Sequence, residues 1–176
     1  MDYEPIQMNP VGIVRNKSRN TVQGTGSGTS GWKERAARMK AQRDSISEII
    51  LDGVPEETLD GIEDYSHITV IYWAHLVTPE RRSTTFRVHP TGNPDFPLVG
   101  VYATGSPVRP NPVLVTTVRL LERSGNTLRV TGLDALDGSP VLDIKPYYPA
   151  IAEEDIRVPD WMQQVNREFR SAQETD

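Results

Sequence analysis

The chain has 176 residues, 36% of them hydrophobic, with 19 basic and 24 acidic side chains and a formal charge of −5. That supplies the apolar material for one domain with ragged ends and excludes attraction of a polyanion through a generally basic surface. The absence of cysteine excludes disulfides and thiolate metal sites.

The opening "MDYEPIQMNP" is acidic and carries an early proline, unlike the basic, apolar leader of an exported protein, so a cytoplasmic location is expected. "NPVGIVRN" alternates apolar and polar residues around Val11, Ile13 and Arg15 and predicts a first strand. "SRNTVQGTGSGTSG" has nothing to bury and predicts a flexible loop over about residues 17–45. Within it, Lys33, Arg35, Arg38, Lys40 and Arg43 face only Glu34; the run suits phosphate contact or a solvated helix face equally. "SISEIILDG" predicts a strand ending at Asp52-Gly53. In "VPEETLDGIEDYSH", the leading proline, the acids and the spacing of Leu59 and Ile62 predict a short internal helix.

"HITVIYWAHLV" is β-branched and aromatic and apolar on both faces, as a central strand or barrel stave should be. This longest apolar run is too short and polar for a bilayer helix, which needs about 20 apolar residues, so a soluble protein is expected. "TPERRSTTFRVHPTGNPDFP" is broken by four prolines and reads as loop with one short strand around Phe86 and Val88; Arg81, Arg82 and Arg87 form a second basic patch. "LVGVYA", "VLVTTVRLLE", "NTLRVTGLDAL" and "PVLDI" follow as strands joined by short turns such as Arg123 to Asn126. So little helix between strands predicts a mainly β fold, a small closed antiparallel barrel, and no dinucleotide-type glycine motif supports a parallel doubly wound sheet. His67, His75 and His89 lack close ligand spacing, so no metal is expected.

"LDGSPVLDIKPYYP" reads locally as a turn at Asp137-Gly138 into a half-buried edge strand with Val141, Asp143 and Lys145 facing outward. The tail "IRVPDWMQQVNREFRSAQETD" predicts an amphipathic helix docking through Trp161, Val165 and Phe169, with residues 9–161 forming the domain and 162–176 the closing helix and tail.

Three segments together, "GIEDYSHITVIYWAHLV", the stretch from Gly100 to Pro149 and "RVPDW", resemble the TsaA-like (TrmO-type) family, over about Pro10 to Trp161. The most specific parts are "RPNP" at Arg109 to Pro112 and "LDALDGSPVLDIKPY" at Leu133 to Tyr147. The resemblance implies a homodimer binding S-adenosylmethionine near the subunit interface and methylating the exocyclic nitrogen of threonylcarbamoyladenosine beside the tRNA anticodon. It implies a donor pocket using His75, Arg109, Asn111, Gly132, Leu133, Asp134 and Asp137. Methyl transfer from a sulfonium is an in-line displacement, in which orientation supplies on the order of 7–11 kcal/mol. A placed base adds ~10²–10⁴-fold; Asp143 or Tyr147 suits that role, with Lys145 tuning a neighbour or gripping phosphate. The two basic patches would then meet tRNA phosphates.

Two departures from the family pattern stand out. Gly105-Ser106 replaces Arg-Ser before the RPNP turn, and Val113-Leu114 replaces Ile-Gly after it. They keep two further readings open: the same donor with a different acceptor, or a donor- or RNA-binding module without transfer.

Overall fold

The structure, a computed structural model, describes residues 4–17, 45–148 and 157–171. The glycine-rich loop and Lys33, Arg35, Arg38, Lys40 and Arg43 therefore lie outside the described residues. Six strands close a barrel: β1 (Gly12–Arg15), β2 (Ile46–Leu51), β3 (His67–Trp73), β6 (Val113–Ser124), β7 (Thr127–Thr131) and β8 (Pro140–Pro146). Their order is β1-β2-β7-β6-β3-β8, every neighbouring pair is antiparallel, and β8 returns to β1. β4 (Arg87–Val88) and β5 (Val99–Gly100) form a separate two-stranded ribbon.

Alternation builds the core. On β3, Ile68, Val70 and Tyr72 point inward and are buried, while their neighbours face the outer wall. Val14, Ile49, Val118, Leu128, Val130 and Val141 meet them inside the barrel. β3 thus has one buried face and one partly covered face. Closure changes the expectation for β8: it is no edge strand, because it hydrogen-bonds to β1 and β3. Its register on β3 shifts between Ile71, opposite Asp143, and Tyr72, opposite Val141. The extra residue of this bulge, Leu142, turns Val141 into the core and leaves Asp143 and Lys145 on the outer wall.

Glycine decides two local outcomes. Gly125 at φ 56° makes the tight turn that pairs Ser124 with Thr127. Gly61 at φ 82° interrupts the helix expected after Pro55, so the segment forms two 3₁₀ turns, Glu56–Leu59 and Ile62–Asp64. Arg123 fastens these turns to the hairpin, reaching Glu56, Asp60 and Glu63 at 3.3–3.5 Å and the carbonyls of Glu56 and Leu59.

The proline-broken stretch contains a helix that its four prolines obscure in the sequence, α1 (Pro79–Thr84). Thr78 caps it by accepting from the Arg81 N–H, and Pro79 starts it. The strand expected from "LVGVYA" is only β5, followed by a 3₁₀ turn at Val101–Ala103. The closing helix α2 (Asp160–Ser171) starts directly after Pro159, the proline that marks its N-terminus in the sequence, and so already includes Asp160 and Trp161. Val165 is buried and the Trp161 ring lies 6.5 Å from that of Phe96, so docking through this stripe holds; the Phe169 side chain lies outside the described ones. No helix among the described residues is long and apolar enough to cross a membrane.

Candidate active site

Antiparallel order brings the ends of β1, β3 and β7 and the starts of β2, β6 and β8 to one mouth of the barrel. The loop from Gly132 to Ser139 crosses this mouth. Gly132 has φ 90°, a conformation that side chains resist, and it turns the chain out of β7. Leu133 and Ala135 then anchor in the core, leaving the intervening Asp134 exposed.

A cleft of about 250 Å³ opens there, lined by Tyr72, Gly105, Arg109, Val113 to Thr116 and Asp134. The Tyr72 hydroxyl donates to Asp134 Oδ1 at 2.7 Å, and the Thr116 hydroxyl donates to the same oxygen. Burial, together with the adjacent Asp134 charge, pushes the Tyr72 phenol far above its ordinary value, so it stays a proton donor. Arg109 lies over the exposed Tyr102 ring at 5.5 Å and gives the cleft its basic side chain. A Cβ added at Gly105 would meet no heavy atom within 4 Å, so the arginine-to-glycine departure leaves open space beside the backbone.

The other expected donor residues border this mouth. Asp137 Oδ1 accepts from the Asn16 N–H at 3.1 Å, and the Asn16 side chain donates to Ser47 Oγ and to the Ala135 carbonyl, fastening β1 and β2 to the loop. His75, two residues beyond β3, shares a 3.3 Å hydrogen bond between its Nδ1 and the buried Ser139 Oγ. Leu133 is a core residue, and the exposed Asn111 offers its carbonyl to Val113 N–H. Sequence reading missed Tyr72 and Thr116. The signal was parity: on β3 and β6 both fall on the inward set, where a polar end facing the core needs a partner.

Asp143, Lys145 and Tyr147 do not join this cleft. Lys145 Nζ holds Asp143 Oδ2 at 2.7 Å on the outer wall, and that interaction raises the Lys145 pKa. Tyr147 bonds through its N–H to the His67 carbonyl and packs edge-on to the His67 ring, at the far end of β3 from Tyr72, about 17 Å of strand away. In the second basic patch, Arg82 stacks over Trp73 at 5.8 Å and Arg87 donates to the Leu98 carbonyl. Arg81 lies in α1. Among the described residues no group of three or more His, Asp or Glu is placed to hold a metal ion.

Residues 34–153 match the family described as the tRNA-methyltransferase O N-terminal domain. The chain is 44% identical over 148 residues to a probable S-adenosyl-L-methionine-binding protein of Methanothermobacter thermautotrophicus, covering 83% of this chain and 93% of that protein. It is 36% identical over 93 residues to the mouse tRNA (adenine(37)-N6)-methyltransferase, covering 53% of this chain and 21% of that one. The crystal structure of TrmO from Pseudomonas aeruginosa superposes with a TM-score of 0.62 at 28% identity, covering 88% of this chain and 61% of that chain. The chain therefore spans nearly all of the first relative and less than two thirds of the other two.

Proposed function

This chain belongs to the family of the tRNA-methyltransferase O N-terminal domain, and on that premise we propose that it binds S-adenosylmethionine at the barrel mouth and methylates tRNA. The acceptor in this reading is the exocyclic nitrogen of threonylcarbamoyladenosine beside the anticodon. One observation carries the donor site: an exposed carboxylate, Asp134, lines a cleft that Arg109 also lines. That pair suits a ligand presenting hydroxyl or ammonium donors together with a carboxylate.

When bound, the donor supplies a methyl group on a sulfonium, so transfer leaves a thioether and releases one proton from the acceptor nitrogen. Asp134 would accept from the donor's N–H or O–H groups, Arg109 would take its carboxylate, and the half-buried Val113 and Leu114 would shield the donor from water along the strand. His75 and Asp137 hold the mouth of the barrel in shape through Ser139 and Asn16. The proton must reach a base. Asp143, Lys145 and Tyr147 serve the acceptor only where tRNA or a second subunit meets the outer wall, so the proposal includes the homodimer. It also includes phosphate contact through the basic patches and a cytoplasmic setting, where tRNA and donor occur together.

Gly105 favours a second reading, a module that binds donor or RNA without transfer, because the open space there offers the donor no guanidinium. Calorimetric titration with S-adenosylmethionine, followed by methyl transfer to total tRNA and mass spectrometry of the nucleosides, separates the readings. Donor binding with a methylated threonylcarbamoyladenosine product is the expected result. Binding without product supports the module, a different methylated nucleoside moves the acceptor, and no donor binding overturns methyl transfer and the donor-binding module together, leaving only RNA binding.

A further inference from the structure

The carboxylate of Asp134 is not free to turn. Oδ1 accepts from two hydroxyls carried on two different strands, Tyr72 of β3 and Thr116 of β6. Two donors fill both lone-pair directions of that oxygen, whereas Oδ2 has no protein partner among the described residues. Tyr72 is 2% exposed and wedged in the core, so its hydroxyl cannot follow a rotating carboxylate.

We propose that Tyr72 and Thr116 are positioning residues that pin Asp134 Oδ1 and thereby present Oδ2 to a hydrogen-bond donor of the ligand in the cleft. This rests on the donor-binding reading and adds to it the two side chains that orient the carboxylate. Asp134 is on a loop, and loops hold a functional group loosely unless neighbouring elements fix it. Here two strands of the barrel supply the rigidity, and the ligand does not have to order the carboxylate on arrival. The ligand group is an O–H or N–H donor, present in S-adenosylmethionine as the ribose diol and as the α-ammonium.

The test is a double-mutant cycle read by calorimetry with S-adenosylhomocysteine, the demethylated product. Tyr72→Phe and Thr116→Val should each weaken binding about tenfold, the factor that corresponds to 1.4 kcal/mol, while Thr116→Ser binds like the unaltered protein. In an Asp134→Ala background, Tyr72→Phe should cost nothing further, because no carboxylate is left to orient. Titration with 5′-methylthioadenosine, which keeps the diol and lacks the amino acid, assigns the partner group. A penalty retained there places the diol on Oδ2, and a penalty that disappears places the ammonium on it; either supports the pinning. Unchanged affinity in both single variants, or an equal penalty with and without Asp134, overturns it and makes Tyr72 an ordinary core residue. Failure of the unaltered protein to bind S-adenosylhomocysteine overturns the donor-binding reading, and the presentation role with it.

Discussion

Replacing Gly105 by arginine, with Gly105→Ala as control, asks whether the missing side chain or the glycine itself shapes the cleft. A Cβ at this position meets no heavy atom within 4 Å and the φ is outside the left-handed region, so neither variant strains the backbone. Alanine restricts mainly the unfolded chain and should leave stability unchanged or raise it by about 0.4–1 kcal/mol. Arginine places a guanidinium in a cleft that also holds Asp134 and Arg109. A hydrogen bond to a charged partner is worth about 1.5–3 kcal/mol net. Repulsion from Arg109, already settled over Tyr102, opposes it by on the order of 1 kcal/mol in a partly solvated site. The difference, ~0.5–2 kcal/mol, corresponds to S-adenosylmethionine binding about two- to thirtyfold tighter, measured by calorimetry. Gly105→Ala should bind as the unaltered protein does. An arginine variant no tighter than the alanine one, or an alanine variant that itself weakens binding, refutes the reasoning and shows a cleft rebuilt around the glycine.

Gly132→Ala forces a side chain into φ 90° and should destabilise by about 1–2 kcal/mol in urea unfolding, unlike Gly105→Ala. Arg123→Met keeps the aliphatic stem but releases the 3₁₀ turns, and the thermal midpoint at neutral pH should fall. The Glu63 pKa is held below its ordinary 4.5, by its own backbone N–H first and with help from Arg123. Its contribution is therefore present above the unfolded value and disappears as pH falls through the lower folded one, so below about pH 4.5 the stability slope of Arg123→Met should be flatter than that of the unaltered protein. Asp143→Asn, Lys145→Ala and Tyr147→Phe should leave donor affinity unchanged in the same calorimetric titration, since all three lie outside the cleft; a weakened donor complex would extend the site to the outer wall. Replacing Arg35, Arg38 and Arg43 by alanine should weaken tRNA binding and flatten its log–log salt dependence by roughly 0.7–0.9 for each phosphate no longer neutralised, as followed by filter binding across a salt series.

Much of the barrel was legible in local pattern. Ile68, Val70 and Tyr72 announce β3, the short Gly125-Asn126 turn joins β6 to β7, and scarce helix between strands points to antiparallel pairing. The motif from Leu133 to Tyr147 marked Asp134 before any geometry was known. Local pattern did not divide that motif into two surfaces, because the division depends on the bulge at Leu142. One added residue reverses which side chains of β8 face inward, burying Val141 and turning Asp143 and Lys145 to the outer wall. Closure of the barrel likewise made an apparent edge strand internal, an outcome of β1 and β8 meeting across more than 120 residues of chain. Sequence alone determined the alternation and the turns, since these depend on residues near one another in the chain; it read Asp134 as part of the strand "NTLRVTGLDAL", whereas β7 ends at Thr131 and the acid stands exposed on the loop that follows. Tertiary structure alone decided that Tyr72 and Thr116, 44 residues apart on paired strands, converge on one oxygen of Asp134. Hydrogen bonds between side chains depend on register and strand direction, and both are set only when the barrel closes.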